Sequence, residues 1–207
     1  MTVAAGVARL MFAAMLAIAL PGCGSKLPQL PKIGASDVIV AFGDSLTYGT
    51  GAAENESYPA VLAQLTGRKV VPAGVPGEIS AQALQRLPSV LENYKPKLVI
   101  VCLGGNDMLR KFNETETIAN LRAIVRKAKE SGAAVVLIGV PRPALLTSAP
   151  KFYAEIAQEF GIPYEGAAVT SVMYRPELKS DPIHPNAQGY RKIAEALAAL
   201  LREAGAV

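Results

Sequence analysis

From Asp37 onward, short apolar runs alternate with longer amphipathic stretches, and this alternation leaves few folds open to the chain. A short, uninterrupted aliphatic run suits a strand covered on both faces, whereas apolar residues recurring every three to four positions suit a helix with one buried stripe. The runs Val38 to Phe42, Lys69 to Ala73, Leu98 to Leu103 and Ala134 to Val140, with a weaker one at Ile162 to Glu165, are the expected strands. Helices are expected at about Tyr58 to Thr66, Ser80 to Asn93, Glu116 to Ser131, Lys151 to Phe160 and Ala187 to Ala204, with Gly67, Gly132 and Gly161 standing where helices stop. Strand and helix in regular succession imply repeated βα units around a mainly parallel five-stranded sheet, an α/β three-layer sandwich. In such sheets ligands bind beyond the carboxyl ends of the strands, so the residues that follow each strand are where chemistry is expected.

The chain has 207 residues, 51% of them hydrophobic and 18% charged, enough for one good-sized core. The net charge of +4 comes from 21 Lys and Arg scattered among 17 acids, a distribution that argues against nucleic acid as a partner. One His and two separated Cys cannot supply the ligand set of a zinc site, so no metal is expected.

The amino terminus reads differently from the rest. Leu10 to Leu20 is an apolar run too short to span a bilayer comfortably, and Arg9 precedes it, the pattern of a signal-peptide core. Leu20-Pro21-Gly22-Cys23 follows and resembles the lipobox of bacterial lipoproteins, apart from Pro21 where a small or aliphatic residue is usual. The expected organisation is therefore a signal peptide over residues 1–22, a lipidated Cys23 opening a tether over 23–36, and one domain over 37–207. The expected location is the bacterial cell envelope, with the protein a monomer held at the membrane by its lipid. Cys102 lies in an apolar run and is expected to be a buried, inert thiol.

Four loops carry residues suited to chemistry. Gly43-Asp44-Ser45-Leu46 follows the first strand, where a turn can expose the Ser45 hydroxyl or, equally, use Ser45 as a helix N-cap. Gly104-Gly105-Asn106-Asp107 follows the third strand, where Asn106 is either an amide donor to a developing oxyanion or the head of an Asx-turn. The Gly74-Val75-Pro76-Gly77 loop follows the second strand and offers glycine N–H groups. Asp181-Pro182-Ile183-His184 then places a carboxylate three residues before the only His of the chain. Any serine activated by an imidazole must use His184, and the spacing lets Asp181 hold one ring nitrogen while the other faces Ser45.

Taken in order, Gly43-Asp44-Ser45-Leu46, Gly77, Gly104-Gly105-Asn106-Asp107 and Asp181-Pro182-Ile183-His184 resemble the blocks of the GDSL or SGNH hydrolases over about Asp37 to Leu201. Within that family the sequence is most similar to the bacterial thioesterase I, arylesterase and lysophospholipase group. The resemblance implies a flavodoxin-like sandwich with Ser45 as nucleophile, His184 as base and Asp181 as its orienter. It also implies an oxyanion hole built from the Ser45 and Gly77 N–H groups and the Asn106 side chain. Pro72 stands in a region where family members usually carry an Asn before the second-block glycine, which leaves Gly74 as the alternative donor to Gly77. Asp44 and Asp107 are expected to brace the loops. The implied reaction is hydrolysis of acyl esters, and of thioesters, through an acyl-serine and without a cofactor. For the substrate, Leu109, Pro143, Leu145 and Ile183, with Met108, Pro141 and Leu146, are candidates for an acyl groove taking a small-molecule or lipid ester. The rival readings are a carbohydrate O-acetylesterase of the envelope and a surface lipoprotein that binds ligands without catalysis.

Overall fold

The computed structural model describes residues 27–142 and 148–207. Five strands form its sheet: β1 (Val38–Gly43), β2 (Lys69–Gly74), β3 (Leu98–Cys102), β4 (Ala134–Ile138) and β5 (Tyr164–Glu165). Eight α-helices are present among the described residues: α1 (Ser45–Tyr48), α2 (Tyr58–Thr66), α3 (Ser80–Tyr94), α4 (Gly105–Leu109), α5 (Glu114–Glu130), α6 (Lys151–Phe160), α7 (Ala168–Met173) and α8 (Ala187–Glu203). All adjacent strands are parallel, in the order β2-β1-β3-β4-β5. The expected α/β sandwich is what forms, and its order is the doubly wound one whose direction of winding reverses between β1 and β3. A crevice therefore opens between the carboxyl ends of these two strands, and both serine and asparagine loops leave from there.

Strands β1 and β3 lie in the middle of the sheet, and every residue from Ile39 to Phe42 and from Leu98 to Val101 is fully buried. This explains why their sequences are uninterrupted aliphatic runs: helices cover both faces, so no position alternates with solvent. Among the longer helices, α5 is closed by sequence-encoded signals. Asn113 caps its first turn by accepting from the Thr115 N–H, Glu114 and Glu116 lie at its positive end, and Lys127 and Lys129 lie at its negative end. Gly67 and Gly161 terminate α2 and α6 in the left-handed conformation, as expected.

Two features depart from the sequence reading. Leu30 to Ile33 lie within the expected tether, yet Ile33 is fully buried and Leu30 packs against the core. The Leu30 N–H donates to the Ala204 carbonyl at 2.8 Å and the Ile33 N–H to that of Ala206 at 2.8 Å. Two apolar residues three apart were enough to bring this proline-flanked stretch into the packed body. The other departure is the short helices α1, α4 and α7, which sequence periodicity did not reveal because they span only four to six residues. Cys23 and the whole expected signal peptide, with Pro143, Leu145 and Leu146, lie outside the described residues.

Candidate active site

The site begins with a crowded crossing of backbones at the end of β1. A Cβ on Gly43 would lie 2.1 Å from the Thr47 Oγ1 and 2.4 Å from the Cys102 carbonyl, so only glycine fits where β1 turns into α1. Asp44, not Ser45, caps that helix: its Oδ1 accepts from the Leu46 N–H at 3.0 Å. Ser45 is left as the first helical residue, half-buried, with its hydroxyl free for another partner.

That partner is His184, whose Nε2 lies 3.0 Å from the Ser45 Oγ although 139 positions separate the two residues. The loop that delivers the imidazole is folded by Asp181. Its Oδ1 accepts from the Ile183 N–H at 2.8 Å and the His184 N–H at 2.9 Å, while Oδ2 lies 2.7 Å from the His184 Nδ1. One carboxylate oxygen shapes the loop and the other holds the ring. With a proton on Nδ1 directed at the carboxylate, Nε2 keeps its lone pair for the serine hydroxyl. Desolvation works against the Asp181 carboxylate, but hydrogen bonds from the His184 ring and the Ile183 backbone outweigh it and hold its pKa below the ordinary value. Behind the loop, the Ser180 N–H donates to the His184 carbonyl at 3.0 Å, and Asn186 caps α8 by accepting from the Gly189 N–H at 3.0 Å. The Tyr190 hydroxyl on α8 donates to the Thr50 carbonyl at 2.8 Å, tying the histidine helix to the segment just after Ser45.

The glycine and asparagine loops complete the surroundings. Asn106 sits in α4, not in an Asx-turn, and its Nδ2 donates to the Glu78 carbonyl at 3.0 Å and to the Asp44 Oδ2 at 3.2 Å. Gly77 adopts φ +77°, and its carbonyl accepts from the Arg110 Nη2 at 2.8 Å. Its N–H makes no backbone hydrogen bond among the described residues. Gly74 is different: it is the last residue of β2, paired in register with Gly43.

Asp44 and Asp107 act as braces. The Asp107 carboxylate accepts from the Ser80 hydroxyl at 2.6 Å and the Ser80 N–H at 2.9 Å, locking α4 to the start of α3. Burial pushes the Asp44 pKa up to about 7; the nearby charges of Asp107 and Glu78 add to this, and bonds from the Leu46 N–H and Asn106 oppose it. Cys102 is buried and its thiol pKa is raised by desolvation, as suits an inert thiol.

Beside Ser45 and His184 lies a cavity of about 50 Å³. Leu109, Pro141 and Ile183, all candidates for an acyl groove, line it, whereas Met108 borders a neighbouring cleft with Phe112. Leu46, Val140, Val169 and Met173 complete the apolar wall. Val169 and Met173 were missed because α7 is short, yet their i, i+4 spacing places them on one helix face and was the available signal. Tyr153 is fully buried, and its hydroxyl donates to the Leu103 carbonyl at 2.7 Å.

Residues 41–192 match the model of the GDSL-like lipase/acylhydrolase family. The chain belongs to this family. It is 32% identical over 179 residues to the thioesterase 1/protease 1/lysophospholipase L1 of Escherichia coli strain K12, an alignment covering 83% of this chain and 86% of that one. It is also 32% identical over 152 residues to the esterase TesA of Pseudomonas aeruginosa, covering 71% and 74% of the two chains. Among solved structures, AlinE4, a SGNH-hydrolase family esterase, superposes with a TM-score of 0.63 at 32% identity, covering 84% of this chain and 98% of that one.

Proposed function

We propose that this GDSL-family hydrolase cleaves acyl esters, and the corresponding thioesters, through an acyl-serine formed on Ser45. The observation that carries the reading is the continuous relay from the Asp181 carboxylate through both nitrogens of His184 to the Ser45 hydroxyl. As Ser45 Oγ attacks the acyl carbonyl carbon, His184 Nε2 takes its proton and Asp181 stabilises the resulting imidazolium. The carbonyl oxygen becomes an oxyanion facing the Ser45 N–H, the Gly77 N–H and the Asn106 amide, and donors fixed in advance are worth most as that charge develops. The bond to the leaving group then breaks, and the leaving alcohol or thiol takes the proton held by His184. A water that loses its proton to the same nitrogen attacks the acyl carbon, releases the acid and restores Ser45.

The acyl chain enters the cavity walled by Leu109, Val169, Met173 and Ile183, apolar surface that suits short to medium chains. Burial of each methylene contributes about 0.8 kcal/mol, so kcat/KM rises with chain length until the cavity is filled. Initial rates on a series from acetyl to palmitoyl esters, with an acyl thioester and an O-acetylated envelope polysaccharide alongside, test this. Activity confined to acetyl groups on the polysaccharide overturns it in favour of a carbohydrate O-acetylesterase. Ser45→Ala is expected to lose about 10⁶ of the rate, the size of loss when a triad serine is removed. Near wild-type turnover in that variant sinks the assignment and leaves a ligand-binding role as the alternative.

The enzyme acts from the cell envelope, anchored by acyl chains on Cys23. The support is the apolar run Leu10 to Leu20 followed by the lipobox-like Leu20-Pro21-Gly22-Cys23. Mass spectrometry of the mature amino terminus, for wild type and Cys23→Ser, checks this; an unmodified chain beginning elsewhere refutes it.

A further inference from the structure

We infer that Arg86, on α3 and outside the reaction cavity, is a positioning residue that sets the geometry of the oxyanion donors through Glu78. This rests on the proposed roles of Ser45, Gly77 and Asn106. Glu78 follows Gly77 directly and its backbone carbonyl fixes the Asn106 amide, so whatever holds Glu78 holds two of the three donors at once. Arg86 grips it with both ends of the guanidinium, Nε to Oε1 at 2.7 Å and Nη2 to Oε2 at 2.6 Å. Nη2 also donates to the Ala73 carbonyl at the end of β2, at 3.1 Å, and the guanidinium lies 4.4 Å from the ring centre of Phe42 on β1. One side chain thus references the glycine loop to the ends of both strands that flank it. Across the loop, Arg110 holds the Gly77 carbonyl.

A purely stabilising role fits this arrangement poorly. The Glu78 side chain is only 5% exposed, and desolvating an ion pair offsets much of its attraction, so well-packed apolar residues would serve stability as well or better. What an apolar pair cannot supply is the planar two-point grip that fixes direction, and lysine, with a single ammonium, cannot supply it either.

Arg86→Lys keeps the charge and loses the fork. It is expected to lower kcat roughly 10- to 100-fold with KM changed less than about threefold, since displacement of a catalytic constellation by about 1 Å can cost 10²-fold. Glu78→Gln removes the ion pair while keeping side-chain length, provides a second variant should the first fold poorly, and is expected to fall in the same range. The deciding measurement is the pair on an Asn106→Ala background: the further loss from Arg86→Lys should shrink, because the group it positions is already gone. Rates are normalised to active sites titrated with an organophosphonate, so that unfolded protein does not count. Full multiplication of the two losses, or an unchanged kcat in both Arg86→Lys and Glu78→Gln, overturns the inference while leaving the serine mechanism intact. Activity independent of Ser45 would instead remove the reading on which it rests.

Discussion

Asn106 shows how a single amide is held ready at some cost to its freedom. Both of its Nδ2 hydrogens are occupied, one on the Glu78 carbonyl and one, longer, on the Asp44 Oδ2. On the proposed mechanism the longer bond is the one that yields as an oxyanion develops, and Asn106→Ala is expected to lower kcat by roughly 10² to 10³ with little change in KM. An unchanged kcat would mean that the amide serves only to join two loops. Asp44 supplies a pH signature of its own. Its pKa rises from 3.8 in a solvated carboxyl to about 7 here, so between these values the native state binds a proton that the unfolded chain has released. Stability from this group is therefore greatest in acid and falls as pH climbs from about 4 to 7, after which it is flat. Asp181 and Glu195, whose pKa values are lowered, act in the opposite sense, but only as pH falls below the ordinary carboxylate range. Urea midpoints for wild type and Asp44→Asn across pH 5 to 8 check the point: the downward slope should be present in the first and absent from the second.

Among the elements, α1 is the one on which the proposed acyl-serine chemistry depends most. Its four residues carry Ser45, and its position is set from outside, by β2. A Cβ on Gly74 would fall 2.2 Å from the Tyr48 N and 2.7 Å from the Asp44 carbonyl, both backbone atoms that cannot swing aside. Gly74→Ala is expected to cost on the order of 1–3 kcal/mol, the usual range for overpacking, and to lower kcat as well because α1 must shift. Denaturant melts together with rates at saturating substrate would separate the two effects. Gly43 is held to glycine in the same way: its φ is not left-handed, and the requirement is space at a crossing of backbones. Short-range information sufficed for β1, β3 and β4, where burial on both faces writes itself as aliphatic runs, for the half-buried edge strand β2, whose short apolar run was enough, and for α2, α3, α5, α6 and α8, whose apolar stripes repeat over several turns. It failed for α1, α4 and α7, since one or two turns hold too few positions to establish a period.

For the whole molecule, the alternation of runs was enough to read a parallel sandwich; the rule that ligands lie beyond strand ends pointed to Ser45 and Asn106, and His184 was singled out as the only His of the chain, before any contact was known. What stayed illegible are groups whose role lies wholly in tertiary contact. Arg86 looks like any helical arginine in sequence, and its grip on Glu78 arises only once α3 has packed beside the ends of β1 and β2. Val169 and Met173 likewise become part of a cavity wall only when α7 lies against the histidine loop.

The pairing of Leu30 and Ile33 with Ala204 and Ala206 can be considered as a load path. A chain secured ahead of Leu27 and tugged by its surroundings would pass the force first to these two backbone bonds and the buried Ile33, before β1 is strained. The force would then enter α8 at its carboxyl end, and seventeen helical residues, about 25 Å at 1.5 Å each, separate that point from the cap beside His184. The backbone bonds to Ala204 and Ala206 thus meet the chain at one end of this helix and the Asp181–His184 loop stands at the other, so a pull arriving through Leu30 and Ile33 would be taken up far from the Ser45 hydroxyl and the His184 imidazole.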